Sequence, residues 1–187
     1  MLFRSAHRPG MWSQCLADIA DEAIPGGKHL RDQFAPYLKS GFPWHSPEIA
    51  HPHLSNPGAW WSNLLPVFVS AFVRGADIPP ERAVSLAGQV RARYTAPELW
   101  EVFPDTVPAL TALSTQGWRH VILSNHVPEL AWLVERLGLA AHFDSIHSSA
   151  TVGFEKPHPL AFDAVTRTLP PGSEVVMVGD SFSADYL

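Results

Sequence analysis

The sequence has few cysteines, few basic residues and no long apolar run. A single cysteine, Cys15, excludes an internal disulfide and a cysteine-rich zinc site. The net charge of −5 leaves no basic field for nucleic acid. The longest apolar run, over residues 64–73, is interrupted by Pro66 and Ser70, and a bilayer span needs roughly 18 residues. Residues 1–4 lack the features of a signal peptide. We therefore expect a soluble, cytoplasmic protein that has no nucleic-acid or membrane partner.

The chain of 187 residues is long enough for one domain with an insertion, and 46% of it is hydrophobic. Its first half shows apolar residues at helical spacing and no convincing strand. Trp12, Cys15, Leu16 and Ile19, for example, share one helix face. We predict helices from Trp12 to the glycine pair at 26–27, over 28–38, over 60–73 and along a stripe from Ala83 to Tyr94, with a loop over 41–57.

After about residue 96, predicted helices and strands alternate. The predicted helices are 106–116, with Asp105 as its cap, 128–138 and 159–168, and the predicted strands are 119–123, 143–147 and 174–178. Such alternation is typical of an α/β fold, in which helices cover a parallel sheet. Ligands of such sheets bind beyond the carboxyl ends of the strands.

Polar clusters follow each of the three predicted strands. Ser124-Asn125 follows the first strand, the lysine of 155–157 follows the second, and Asp180 with Asp185 follows the third. Because parallel strands carry their carboxyl ends to one edge, we expect these groups to converge. A hydroxyl, a lysine and two carboxylates suit a phosphate with a divalent cation such as Mg²⁺.

Three stretches resemble motifs of the haloacid dehalogenase-like (HAD) hydrolase superfamily. Residues 121–125 resemble its second motif, 153–157 its third, and 175–181 with Asp185 its fourth. The resemblance implies a Rossmann-like α/β core with a parallel sheet and an inserted α-helical cap. It divides the chain into a core remnant over 1–10, the cap over 11–97 and the core over 98–187.

The resemblance also implies a role for each polar cluster. It implies a phosphatase that hydrolyses a small phosphorylated metabolite through an aspartyl-phosphate. Ser124, with Asn125 beside it, would contact the phosphoryl group, and Lys156 would neutralise it. Asp180 would bind Mg²⁺, while Asp185 would orient metal-bound waters or Lys156. In the family an asparagine usually precedes the second acid, which is Asp185 in this sequence. Ala184 stands at that position here, so the outer-shell contact of that asparagine has no matching side chain.

The first motif of the family, a strand that ends in the nucleophilic aspartate, has no match. Asp18 is the first aspartate of the chain, and together with Asp21 it lies in a predicted amphipathic helix. In the family the missing strand is central, between the strands that end at Ser124 and Asp180. The resemblance therefore predicts a core truncated at both ends and a chain that is inactive as given.

Two alternatives stay open beside the phosphatase. One is a non-catalytic HAD-fold binding or regulatory protein, and the other is a relative of the metal-independent 2-haloacid dehalogenases, against which Gly179-Asp180 argues. Taken singly, Ser124 and Asp180 suit helix caps and Lys156 a solvated surface position. The loop histidines His45, His51 and His53 are interpreted as surface structure. The sequence leaves the oligomeric state open.

Overall fold

The computed structural model of the chain describes residues 5–24 and 26–185. Its strands are β1 (Ala6–His7), β2 (Glu101–Val102), β3 (Val121–Ser124) and β4 (Ser145–Ser148). Its α-helices are α1 (Met11–Ala23), α2 (Arg31–Phe34), α3 (Pro57–Ala76), α4 (Pro80–Ala87), α5 (Val90–Thr95), α6 (Thr106–Thr115), α7 (Leu130–Arg136), α8 (Ser149–Val152), α9 (Pro159–Thr166) and α10 (Phe182–Asp185). The α/β class expected from the sequence is confirmed.

The helical half packs around aromatic and aliphatic residues at helical spacing. In α1 the predicted stripe is buried at Cys15, Leu16 and Ile19. Helix α3 runs beyond the predicted 60–73, because the Asn56 side chain accepts a hydrogen bond from Ala59 N at 2.9 Å and so caps an earlier first turn.

The helix predicted over 28–38 is wrong in length. Only α2 is α-helical there, and a 3₁₀ turn continues it over Ala35–Leu38. Pro36 has no N–H to donate to the preceding turn, which ends the α-helical pattern. The loop predicted over 41–57 contains two short 3₁₀ turns, Pro43–His45 and Pro52–Leu54.

A two-stranded antiparallel ribbon, which the sequence did not predict, brackets the helical half. Strand β1 pairs with β2 through Ala6↔Val102 and His7↔Glu101. Each strand has two residues, too few for an alternating pattern to be visible. The ribbon brings the two ends of the segment from α1 to α5 together at one place.

The sheet of the α/β half is a pair of parallel strands, β3 and β4. Strands β3 and β4 align from Val121↔Ser145 to Ser124↔Ser148, so both strands end at the same edge. Helix α6 begins after Asp105 as predicted, although that side chain makes no capping hydrogen bond.

The strand predicted over 174–178 is wrong. Within residues 5–24 and 26–185 this segment joins no strand ladder, and Val175 and Val176 are 55% and 59% exposed. An apolar sequence forms a strand only when a neighbour supplies the ladder hydrogen bonds. The segment instead borders a cleft of about 980 Å³, whose other wall includes Val121 and Leu123 of β3.

Contacts between charged and aromatic residues join the two halves. The indole Nε1 of Trp61 donates to the Glu129 carboxylate at 3.1 Å, and Arg91 forms an ion pair with Glu129 at 2.7 Å. His51 Nε2 lies 3.1 Å from the buried carboxylate of Glu155. Each contact ties the helical half to a loop of the α/β half. No helix among the described residues is long and apolar enough to cross a membrane.

Candidate active site

The carboxyl end of β3 opens into a cavity of about 740 Å³. The α/β half lines one side with Ser124, Asn125, His126, Val127, Lys156, Pro157, Asp180, Ser181, Ser183, Ala184 and Asp185. The helical half lines the other side with Met11, Trp12, Trp44, Pro47 and Tyr94. Every residue predicted for the site from the sequence therefore borders this one cavity.

Ser124 is the last residue of β3 and is 3% exposed. Within the part of the chain that the structure describes, its hydroxyl makes no side-chain hydrogen bond. A hydroxyl that borders a cavity without an internal partner can donate to an anion there. The helix cap that Ser124 would form if considered alone is absent, because α7 begins only at Leu130.

Asn125 holds the backbone of Lys156 through two hydrogen bonds. Its Nδ2 donates to the Lys156 carbonyl at 2.9 Å, and its Oδ1 accepts from Lys156 N at 2.7 Å. The two residues are 31 positions apart in the chain. The amide therefore ties the loop after α8 to the end of β3. This pairing could not be read from the sequence, because the side chain of Asn125 gives no sign of its distant partner.

Lys156 and Asp185 form a nearly buried ion pair. The Lys156 ammonium donates to Asp185 Oδ1, and the side chains are 8% and 10% exposed. Ser181 N donates to Asp185 Oδ2 at 3.0 Å. A Cβ on Gly179 would overlap this carboxylate, so only glycine fits there.

The pKa of Asp185 reflects both its burial and its partners. Burial alone would raise this pKa, but the hydrogen bonds from Lys156 and Ser181 N lower it below the usual range. Because the folded-state pKa is lowered, the stabilisation is present above the unfolded pKa of about 3.9 and is lost as the pH falls through the folded value.

Asp180 borders the cavity and is exposed. The described residues contain no group of three or more His, Cys, Asp or Glu side chains that could hold a metal ion. Mg²⁺ does not need such a group, because it is commonly bound by one or two carboxylates and completed by water and substrate phosphate. Asp180 and Asp185 are two such carboxylates, although Asp185 also forms an ion pair with Lys156.

His126 also borders the cavity and is 3% exposed. Burial lowers its pKa to about 3, and neither ring nitrogen has a hydrogen-bond partner among the described residues. Its ring centroid lies 5.5 Å from that of Trp100 and 6.2 Å from that of Tyr94. The neutral imidazole therefore acts as an aromatic packing residue at the base of the cavity.

The titration of His126 predicts acid sensitivity of the fold. The folded state disfavours the proton, so its contribution to stability is complete above the unfolded pKa of about 6.5 and falls as the pH drops toward 3. We expect the free energy of unfolding to decrease by about 2 kcal/mol between pH 7 and pH 5 from this group. Urea unfolding of His126→Phe should lack that part of the slope, whereas the exposed His53→Gln should keep it. Equal slopes in the native protein and His126→Phe would contradict the assignment.

The side of the cavity formed by the helical half was not predicted. Trp12, Trp44 and Tyr94 lie in the same kind of apolar sequence as the residues that pack inside the helical half, so no pattern distinguishes a cavity wall from a packed core. The interpretation of the loop histidines as surface structure is wrong for His51, which is 4% exposed and pairs with the buried Glu155. His51 belongs to no group of three or more His, Cys, Asp or Glu side chains that could hold a metal ion among the described residues.

The family assignment follows from comparison with known proteins. The profile of the haloacid dehalogenase-like hydrolases matches residues 22–187, and the chain belongs to this family. The haloacid dehalogenase-like hydrolase domain-containing protein 3 of Danio rerio is 32% identical over 129 residues, which are 68% of this chain and 52% of that protein. The chain thus spans about half the length of the curated relatives it matches first.

Two further comparisons concern a phosphatase and a solved structure. The glyceraldehyde 3-phosphate phosphatase of Methanothermobacter thermautotrophicus is 37% identical over 87 residues, 46% of this chain and 38% of that protein. The crystal structure of the HAD-hydrolase YfnB from Bacillus subtilis, bound to magnesium, superposes with a TM-score of 0.57 at 18% identity. It covers 93% of this chain and 76% of that one. At 18% identity this similarity supports a shared fold and says nothing about the activity of the chain.

Proposed function

We propose that the chain carries the phosphate-binding and Mg²⁺-binding residues of a phosphatase that acts on a small phosphorylated metabolite. The observation that carries the proposal is the meeting of Ser124, Lys156 and Asp180 around one cavity. A phosphatase among the relatives supports the same choice within the family.

The residues of this chain bind and orient the phosphoryl group. The Lys156 ammonium neutralises its oxygens, and the Ser124 hydroxyl donates a hydrogen bond to one of them. Asn125 fixes the Lys156 backbone, while Asp185 holds the ammonium in place. When bound by Asp180, Mg²⁺ would supply a second positive charge for the phosphoryl oxygens.

The attacking carboxylate of the family mechanism has no counterpart in the described lining of the cavity. Asp180 and Asp185 are the only carboxylates there among residues 5–24 and 26–185, and both have other assignments. We therefore propose that this chain binds phosphate and Mg²⁺ but does not itself form an aspartyl-phosphate. A non-catalytic binding protein would share this geometry.

The test of the proposal is a calorimetric titration of the whole chain with inorganic phosphate, with and without Mg²⁺. We expect Mg²⁺ to tighten phosphate binding by about tenfold or more, because it neutralises the anion at the cavity. The enhancement should disappear in Asp180→Asn and persist in Asp32→Asn, whose carboxylate is exposed and outside the cavity.

Two results would contradict the proposal in different ways. If the native chain binds phosphate with the same affinity with and without Mg²⁺, the proposal that Asp180 binds the metal is wrong. Metal-independent release of halide from a 2-haloacid would favour the dehalogenase alternative instead.

A further inference from the structure

The cap wall of the active-site cavity differs in chemistry from the core wall. Among the described residues that line the cavity, all three with charged side chains (Lys156, Asp180 and Asp185) belong to the α/β half. The cap contributes only uncharged residues, listed above, and three of those five are aromatic. The phosphate end and the opposite end of a ligand would therefore meet very different surroundings.

The aromatic rings of the cap wall are held in place by stacking on one another and on Phe42. Trp12 stacks on the buried Tyr94 with ring centroids 3.6 Å apart and an interplanar angle of 4°. Trp44 stacks on Phe42 at 4.6 Å, and the Trp12 and Trp44 centroids lie 6.2 Å apart. Both indoles remain half-buried, so part of each ring surface is available to the cavity. Rings fixed in this way lose little conformational freedom when a ligand packs against them.

From this arrangement we infer that the substrate is a phosphomonoester whose alcohol part carries a flat, uncharged ring. The inference rests on the proposed phosphate site and adds to it the class of the leaving group. A planar ring stacks on indole and phenol faces with favourable geometry. The hydroxyls of a sugar or glycerol phosphate would lose water at this wall and find few side-chain donors or acceptors in return.

The size of the cavity agrees with this substrate class. Its volume of about 740 Å³ falls in the range of sites for drug-sized ligands and is far larger than an orthophosphate needs. The space between the Lys156 side and the indoles can therefore hold a ring beyond the phosphoryl group. No charged cap residue faces that space within the described part of the chain, so a second anionic group would gain nothing there.

Calorimetric titration with phosphonates, which cannot be hydrolysed, tests the inference without turnover. The probes are benzylphosphonate, 2,3-dihydroxypropylphosphonate and methylphosphonate, each with Mg²⁺. We expect benzylphosphonate to bind about tenfold more tightly than the other two, the effect of burying one apolar ring. In Trp44→Leu the preference should shrink to less than about threefold, since the planar surface is lost. Trp132→Ala removes an exposed tryptophan outside the cavity and should keep the full preference.

The outcomes separate the inference from the proposed function. Equal affinity for all three phosphonates in the native chain would overturn the substrate class and leave the phosphate site standing. No binding of any phosphonate would overturn the proposed function itself. If Lys156→Met binds benzylphosphonate with the same affinity as the native chain, the cavity is an apolar pocket that does not recognise the phosphonate group. That result also overturns the inference. The comparison among ligands in the native chain decides the matter even if Trp44→Leu fails to fold.

Discussion

Replacing Lys156 by methionine is expected to weaken binding of inorganic phosphate by about ten- to a hundredfold, because a charge-assisted hydrogen bond to the anion is lost. Lys156 is the only lysine on the described lining of the cavity. Lys39→Met, which removes an exposed lysine elsewhere, should leave the affinity unchanged. Calorimetry at one ionic strength measures all three proteins.

The same substitution is expected to destabilise the fold, which must be separated from the loss of binding. Methionine would leave the nearly buried carboxylate of Asp185 without its cation, at a cost of about 3–5 kcal/mol. The double variant Lys156→Met with Asp185→Asn removes both charges, so urea unfolding should show most of the stability restored. Phosphate binding should stay lost. If the double variant binds phosphate with the affinity of the native chain, Lys156 contributes to the stability of the fold and not to phosphate binding.

Turnover is the second large expected effect. We expect the 187-residue chain to hydrolyse p-nitrophenyl phosphate no faster than background, because the described lining of the cavity lacks a third carboxylate to attack phosphorus. Joining an apolar strand that ends in Asp-x-Asp ahead of residue 1 should raise the rate by about a thousandfold or more, as expected when a nucleophile is supplied. The matched control replaces the first aspartate of that strand by asparagine.

The cleft between β3 and residues 174–178 is where we expect such a strand to pair. Leu123 and the half-exposed Val175 and Val176 border it. Pairing would supply ladder partners to both walls, so backbone amides of 174–178 should exchange with deuterium more slowly in the extended chain. If the 187-residue chain without the added strand hydrolyses the substrate, and Asp180→Asn abolishes that activity, the claim that catalysis needs another nucleophile is wrong.

Local patterns predicted the elements that depend on local interactions. The stripe of α1 and the apolar run at the centre of α3 are buried because helical spacing alone puts them on one face. The strand pair β3 and β4 was predicted within about two residues. Strand β3 is an apolar run next to a turn, whereas Ile146 is the single apolar residue of β4. The rule that parallel strands end at one edge predicted the convergence of Ser124 and Lys156. Asp180 borders the same cavity although residues 174–178 join no strand ladder among the described residues.

Features that depend on distant partners escaped prediction. Residues 174–178 have strand-forming side chains, yet strand structure also needs a neighbour, and none pairs with them in the described residues. The bonds from Asn125 to Lys156 and the wall formed by Trp12 and Trp44 arise only once the chain has folded. Side-chain type alone does not distinguish an aromatic residue that packs in the cap from one that faces a ligand.

The meeting of Ser124, Lys156 and Asp180 around one ligand can be seen in a crystal structure of the chain grown with phosphate and with Mn²⁺ as an anomalous substitute for Mg²⁺. We expect an anion within hydrogen-bond distance of Ser124 Oγ and Lys156 Nζ, with anomalous density beside the Asp180 carboxylate. Ser124 and Lys156 on separate surfaces, or an ordered anion and cation bound only outside this cavity, would contradict this expectation.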